Sequence, residues 1–192
     1  LYGATKLCAE KLIVAANAYS PAGRKTKFSV VRYGNVFGSR GSLIELIEKQ
    51  KSTGIVTLTD KRMTRFWINV EKVMDMVFSG LEKMSGGEIF VPKMRSFVVV
   101  DVLSALAPKC KVKTIGIRPG EKLHEILITE HEVLRTKDVG DMFVIKPEFG
   151  WNDDRWLAGK IDLPSDFTYI SNNSAFLLSS GEVKNILSKN SF

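Results

Sequence analysis

The spacing of apolar and polar positions divides the chain into alternating helical and extended segments. Over residues 1–19, Leu7, Ala9, Leu12, Ile13 and Ala16 recur at helical spacing, and Ser20-Pro21-Ala22-Gly23 stops the helix they predict. Phe28-Ser29-Val30-Val31-Arg32-Tyr33 is short and β-rich, as a buried strand is. A glycine-rich stretch follows, Gly34 to Ser42. Ser42 with Glu45 three residues on has the form of a capping box and predicts a helix over Leu43 to Lys51. Thr53-Gly54 turns the chain into a strand, Val56-Thr57-Leu58. Thr59 to Arg65 reads as a polar, basic loop, and Phe66-Trp67-Ile68 as a short extended piece. Asn69 caps a predicted helix over Val70 to Met84, with Val73, Met76, Val77 and Leu81 as its inward stripe and Gly86-Gly87 as its end. Glu88 to Val91 reads as a strand that Pro92 stops, and Val100 to Ala107 as a helix. Lys111 to Ile115 alternates like a half-buried strand. Pro119-Gly120 opens a short predicted helix through Leu127, and Met142 to Ile145 is a last strand. Beyond Lys146 the pattern degrades. Gly150 to Ser174 has no period and reads as an irregular tail, and Glu182 to Leu187 suggests a final helix.

Alternating strands and helices predict an α/β layered fold. No G-x-G-x-x-G opens a βαβ unit, and Gly34, Gly38 and Gly41 do not match that spacing. The 192 residues suffice for a domain with a real core, and 44% hydrophobic with 26% charged residues is ordinary for a soluble globular chain. No apolar run approaches the roughly 20 residues that span a bilayer. No signal peptide is visible, in a chain that begins at Leu1 rather than Met. The two cysteines, Cys8 and Cys110, form neither a disulfide framework nor a metal pair. Cys8 reads as a small packing residue, and the lack of disulfides fits a reducing cytoplasm. His124 and His131 are too isolated for a metal site. The formal charge of +7 is scattered without an aromatic-interleaved basic stripe, which argues against a nucleic-acid partner.

Candidate chemistry begins with Tyr2 and Lys6. Four residues apart on a helix, they share a face. An ammonium beside a phenol favours the phenolate and draws its proton affinity toward neutrality, as acid–base work on a sugar hydroxyl requires. Arg32-Tyr33-Gly34-Asn35-Val36-Phe37-Gly38 follows a strand, at the end where open α/β sheets bind ligands. There glycines allow close backbone approach and Asn35 offers an amide. Thr59-Asp60-Lys61-Arg62-Met63-Thr64-Arg65-Phe66 sets two arginines about a short loop, and arginine's planar fork suits phosphate oxygens. Ile117-Arg118-Pro119-Gly120-Glu121-Lys122-Leu123-His124-Glu125 puts Arg118 beside a predicted positive helix end, with Glu121 as an acceptor for hydroxyl or amide donors.

Together these segments resemble the extended short-chain dehydrogenase/reductase family. Within it the chain is similar to the inverting UDP-N-acetylglucosamine 4,6-dehydratases of bacterial surface-glycan, capsule and flagellin-glycosylation pathways. The resemblance is carried by Leu1-Tyr2-Gly3-Ala4-Thr5-Lys6, Val31-Arg32-Tyr33-Gly34-Asn35-Val36, Arg62-Met63-Thr64-Arg65-Phe66-Trp67, Gly87-Glu88-Ile89-Phe90-Val91-Pro92-Lys93 and Arg118-Pro119-Gly120-Glu121-Lys122-Leu123-His124-Glu125. Tyr-x-x-x-Lys marks the broad superfamily, and the arginine-bearing segments are more specific. The resemblance implies the C-terminal part of a Rossmann-like fold interleaved with a nucleotide-sugar-binding subdomain over residues 1–146. Residues 147–192 follow as an irregular tail. It places the dinucleotide fingerprint, and the Asp-Lys pair that handles C5 deprotonation and water loss, upstream of residue 1. The expectation is a fragment without dehydratase activity of its own.

In the reaction the resemblance implies, NADP+ (or NAD+) takes a hydride from C4 of a UDP-sugar. Water is lost across C5 and C6, the hydride returns to C6, and C5 is reprotonated on the opposite face. Tyr2 is then the catalytic acid–base, and Lys6 lowers its proton affinity and holds the nicotinamide ribose. Arg32 and Asn35 join them in the cofactor site. Asn35, Thr59, Arg65, Arg118 and Glu121 bind the substrate, the arginines at its diphosphate and Glu121 at the uridine ribose. A cytoplasmic homo-oligomer, dimer or hexamer, is implied, with no metal. Two other readings share these residues: a UDP-sugar 4-epimerase or reductase of the same fold, and a non-catalytic module that keeps UDP-sugar affinity.

Overall fold

The computed structural model describes residues 2–19, 26–148 and 155–189, and for Tyr2 the backbone alone. The turn expected at residues 20–23 lies outside the described residues. The chain divides into two compact units with interleaved segments. The first comprises Leu1–Tyr33, Glu71–Lys93 and Leu127–Thr168, and the second Gly34–Val70, Met94–Ile126 and Tyr169–Phe192. The architecture is mixed α/β, with parallel strand pairs in both units.

In the first unit a five-stranded sheet runs in the order Val30–Val31, Ile89–Pro92, Met142–Ile145, Thr136–Asp138, Ile161–Asp162. The first pair is parallel and the others antiparallel. Ile89–Pro92 and Met142–Ile145 are buried along their whole length, which explains their unbroken apolar runs. Helix Val70–Lys83 turns Val73 and Met76 inward, and Gly80 lets it lie against the Phe90 ring. Leu81, expected on that inward stripe, is 62% exposed instead. Helix Tyr2–Ala15 continues into a 3-10 turn, Ala16–Tyr19. Its apolar positions Leu7, Leu12 and Ile13 are exposed, as is Cys8, against the packing role expected of it.

In the second unit a three-stranded sheet runs in the order Asn35–Val36, Thr64–Ile68, Arg95–Val98. Strand Ile55–Leu58 pairs in parallel with Lys111–Thr114. Helices Leu43–Lys51, Val99–Leu106 and Ser180–Lys189 share a core in which Ile47, Val56, Phe97, Val102, Leu103 and Val183 are buried. The Ser42 cap forms, its hydroxyl accepting from Glu45 N at 3.5 Å, while the Glu45 carboxylate reaches back to the Gly41 amide rather than that of Ser42.

Three further expectations need correction. Thr64 and Arg65 belong to a strand, not a loop, because alternate residues Thr64, Phe66 and Ile68 are buried. Strand Lys111–Thr114 is exposed at every position, since it lies on the edge of a two-stranded sheet. The helix expected from Pro119 to Leu127 does not form. Gly120 takes φ 81°, a left-handed setting that ends a helical turn, and the next residues bond outward to other segments. Arg118 therefore has no helix N-terminus beside it.

Candidate functional site

In the second unit a cavity of about 220 Å³ is lined by Asn35, Thr59, Arg65, Arg118 and Glu121, among others. Each arrives for a local reason. Asn35 follows Gly34, whose missing side chain lets the backbone pass against Phe66; a Cβ there would lie 2.6 Å from Phe66 Cβ. Asn35 then pairs in parallel register with Trp67. Thr59 ends strand Ile55–Leu58, and its hydroxyl donates to Glu121 Oε1 at 3.3 Å. Glu121 is also tied to Arg118 from both sides: its carboxylate accepts from Arg118 N at 3.3 Å, and its amide donates to Arg118 O at 2.9 Å.

Arg65 anchors the loop that carries these groups. Its Nη1 donates to Thr64 O at 2.7 Å and Leu123 O at 3.2 Å, and its Nη2 to Lys122 O at 3.1 Å. Its Nε stands 3.5 Å from Glu125 Oε1. A polar chain beneath continues the anchoring. His124 Nδ1 meets Thr64 Oγ1 at 2.8 Å, and Thr64 Oγ1 meets Ser171 Oγ at 2.7 Å. Glu125 N donates to Ser171 Oγ at 2.8 Å, and Ser171 N donates to Glu125 O at 2.9 Å. Burial, then the nearby Arg65 and Arg62, lower the proton affinity of the His124 ring below its usual value.

Sequence reasoning passed over the rest of the lining. Ser42 and Thr57 add hydroxyls, and Trp67, with Phe37 and Phe97 packed at 4.2 and 4.7 Å between ring centroids, closes an apolar wall. Trp67 lay inside a segment singled out for its arginines, and its place on the wall depends on pairing with Asn35, which no local pattern reveals. The cavity can take a ligand with both a flat apolar part and anionic oxygens.

In the first unit Tyr2 and Lys6 lie on helix Tyr2–Ala15, with Lys6 exposed. A Cβ added at Gly3 would meet nothing within 4 Å among the residues of this chain. Arg32 lies against the same helix, half-buried, with its side chain 17% exposed. Its Nε donates to Glu10 Oε2 at 2.8 Å and its Nη2 to Glu10 Oε1 at 2.6 Å. Nη1 donates to Leu127 O at 2.7 Å and Glu132 Oε2 at 3.0 Å, and Nη2 also to Glu132 Oε1 at 2.8 Å. A guanidinium has five N–H groups, and these bonds use all of them. Burial works to lower the Arg32 proton affinity, but the bonds from Glu132 and Glu10 outweigh it and raise it. Burial likewise opposes ionisation of Glu132, and Arg32 with the Thr129 amide brings it down to about 2.

Among the described residues no group of three or more His, Cys, Asp or Glu could hold a metal ion, and no helix is long and apolar enough to cross a membrane.

Residues 1–147 match the family described as polysaccharide biosynthesis protein. The chain is 47% identical over 155 residues to a UDP-N-acetylglucosamine 4,6-dehydratase (inverting) of Campylobacter jejuni subsp. jejuni serotype O:2, covering 80% of this chain and 46% of that protein. It is 36% identical over 148 residues to a UDP-glucose 4-epimerase of Rickettsia bellii, covering 74% of this chain and 43% of that one. The chain thus spans about half the length of the curated relatives it matches. The structure of Pen from Bacillus thuringiensis superposes with a TM-score of 0.83 at 34% identity, covering 98% of this chain and 57% of that one. With the family match over most of its length, and the α/β fold shared with Pen, the chain belongs to the polysaccharide biosynthesis protein family.

Proposed function

We propose that the whole protein is a nicotinamide-dependent, C5-inverting 4,6-dehydratase of UDP-N-acetylglucosamine serving surface-glycan synthesis. The observation that carries this reading is the gathering of Asn35, Thr59, Arg65, Arg118 and Glu121 around one cavity whose remaining wall is aromatic and aliphatic. That combination suits a nucleoside diphosphate. Arg118 would face the diphosphate oxygens, where charge-assisted bonds are strongest, and Arg65, bonded to the Lys122 and Leu123 carbonyls, would hold the loop that carries Arg118 against the substrate. Glu121, already an acceptor for the Thr59 hydroxyl, would accept from the ribose hydroxyls. Asn35 would reach phosphate or sugar. The names of the Campylobacter relatives support the UDP-N-acetylglucosamine assignment.

The nicotinamide would be held at the first turn of helix Tyr2–Ala15, by Lys6 and Tyr2. When bound, it supplies a hydride acceptor that also returns the hydride. NADP is the expected form, with NAD the alternative. Tyr2 would take the proton of the C4 hydroxyl as the hydride leaves C4, and C4 remains a ketone in the product. Lys6 keeps the phenol's proton affinity near neutrality and orients the cofactor ribose. The protein acts as a cytoplasmic homo-oligomer, and the 192-residue chain alone has no dehydratase activity.

Incubating the whole protein with UDP-N-acetylglucosamine in deuterated water tests the reaction. A 6-deoxy-4-keto product with deuterium at C5 is expected. Tyr2→Phe and Lys6→Met abolish turnover and leave UDP binding within about twofold. A second reading, a UDP-sugar 4-epimerase, is favoured by the Rickettsia relatives. It predicts a C4 epimer without deuterium at C5. UDP binding with no turnover of either kind would leave a binding module.

A further inference from the structure

Helix Tyr2–Ala15 is anchored in an unusual way. Among its described residues, Glu10 is the one side chain that is buried against this chain's own segments, at 9% exposure. Here the inward-facing group is a carboxylate, gripped through both oxygens by Arg32 at 2.6 and 2.8 Å. Arg32 is itself fixed by Glu132 and the Leu127 carbonyl, and Glu132 is fixed by the Thr129 amide and hydroxyl, both at 3.0 Å. Positions 2, 6 and 10 occupy successive turns, so the depth and rotation of position 10 are inherited by the two positions before it.

We infer that Glu10 is a positioning residue, whose clamp by Arg32 sets the rotation of the helix carrying Tyr2 and Lys6 and so the approach of phenol, ammonium and cofactor. A fork-to-carboxylate clamp fixes both distance and plane, which a hydrophobic stripe does not. Small misplacement at a reacting centre is costly in rate. The rate-related part of this inference rests on the acid–base reading of Tyr2 and Lys6; the part concerning the helix does not.

The test compares wild type with Glu10→Gln and Glu10→Asp in the whole protein. Glu10→Gln keeps the shape and one acceptor for Arg32 but loses the charge. Glu10→Asp keeps the charge and shortens the arm by one methylene. Amide hydrogen exchange over residues 3–12 is expected to quicken tenfold or more in both. Turnover of UDP-N-acetylglucosamine is expected to fall tenfold or more with KM within about twofold, and the kcat pH profile to shift its tyrosine limb upward. Unchanged exchange in folded variants overturns the inference whether or not the protein turns over UDP-N-acetylglucosamine. Faster exchange with kcat and pH limb unchanged overturns its catalytic part. Failure of both variants to fold also counts against it, since a positioning role requires a folded core with the helix displaced. Wild type that binds a nicotinamide dinucleotide yet turns over no nucleotide sugar sinks the functional reading instead, and the exchange measurement still decides the inference.

Discussion

Arg32 lies between two carboxylates with side-chain exposures of only 10% and 9%, so removing it strands buried negative charge. Such a truncation costs about 3–5 kcal/mol, more than the pair itself contributes, because the abandoned partner keeps its desolvation penalty. Arg32→Ala should therefore lower urea-unfolding stability by about that amount. Arg32→Lys should recover little, having no planar fork to meet both carboxylates. The cluster also sets a pH dependence. Glu132 is depressed to about 2 from an ordinary 4.5, so its contribution is complete above pH 4.5 and is lost as pH falls toward 2. Thermal melts between pH 5 and 2 should be steeper in wild type than in Glu132→Gln, and equal slopes would contradict the assignment. Gly34 is the second residue-scale test. Its built Cβ would lie 3.0 Å from Phe66 O as well as 2.6 Å from Phe66 Cβ, and backbone cannot yield as a flexible side chain can. Gly34→Ala should cost about 1–3 kcal/mol by overpacking and weaken UDP binding by shifting Asn35, as a titration would show.

At the scale of elements, the loop Arg118–Glu125 is held by bonds its own sequence does not announce. Thr64 N donates to Leu123 O at 3.1 Å, and Arg65 and Ser171 hold the flanking carbonyls and amides. Ser171→Ala takes the side-chain partner from the Glu125 amide and leaves the Thr64 hydroxyl with His124 alone. It should destabilise by about 1–3 kcal/mol and loosen UDP binding without touching the cavity itself. This loop also shows where local reading stops. Pro119-Gly120-Glu121 has the form of a helix start, but the backbone partners that override it lie near residues 64 and 171. Helix Leu43–Lys51, by contrast, was legible to the residue, because its cap, stripe and length are all local. Helix Val70–Lys83 falls between: Val73 and Met76 face inward as expected, yet Val70, Met74, Phe78 and Leu81 are exposed on another side. A helix apolar on two faces has no single stripe for a period to find. The polar lining of the candidate cavity was legible as residue types, arginines and an amide near glycines suiting phosphate oxygens, whereas a ribose role for Glu121 followed only from the family resemblance. Its aromatic wall was not, because parallel pairing of Asn35 with Trp67 is a long-range fact.

For the whole molecule, the informative boundary is the end of the family match at residue 147. The second unit does not respect it, for Tyr169–Phe192 belongs to that unit's compact body. Tyr169 is fully buried, its hydroxyl donating to Met94 O at 3.1 Å, and burial pushes its proton affinity up to about 12. Val183 is fully buried, and Leu178 and Leu187 are 6% exposed in the same core as Val99, Val102 and Leu103. Each such side chain contributes about 1.5–3 kcal/mol by burial. Four of them amount to roughly 6–12 kcal/mol, comparable with the whole stability of an ordinary domain. The tail looks aperiodic because its inward residues answer to surfaces on other segments rather than to their own spacing. A chain ended at residue 147 should therefore lose the cooperative unfolding of the second unit and, with it, UDP binding. Calorimetry and UDP titration on proteins ending at residues 147 and 189 would decide the matter. Equal binding by both would mean that the cavity assembles without Tyr169, Ser171 and the final helix, and that the buried contacts described for them do not hold the site.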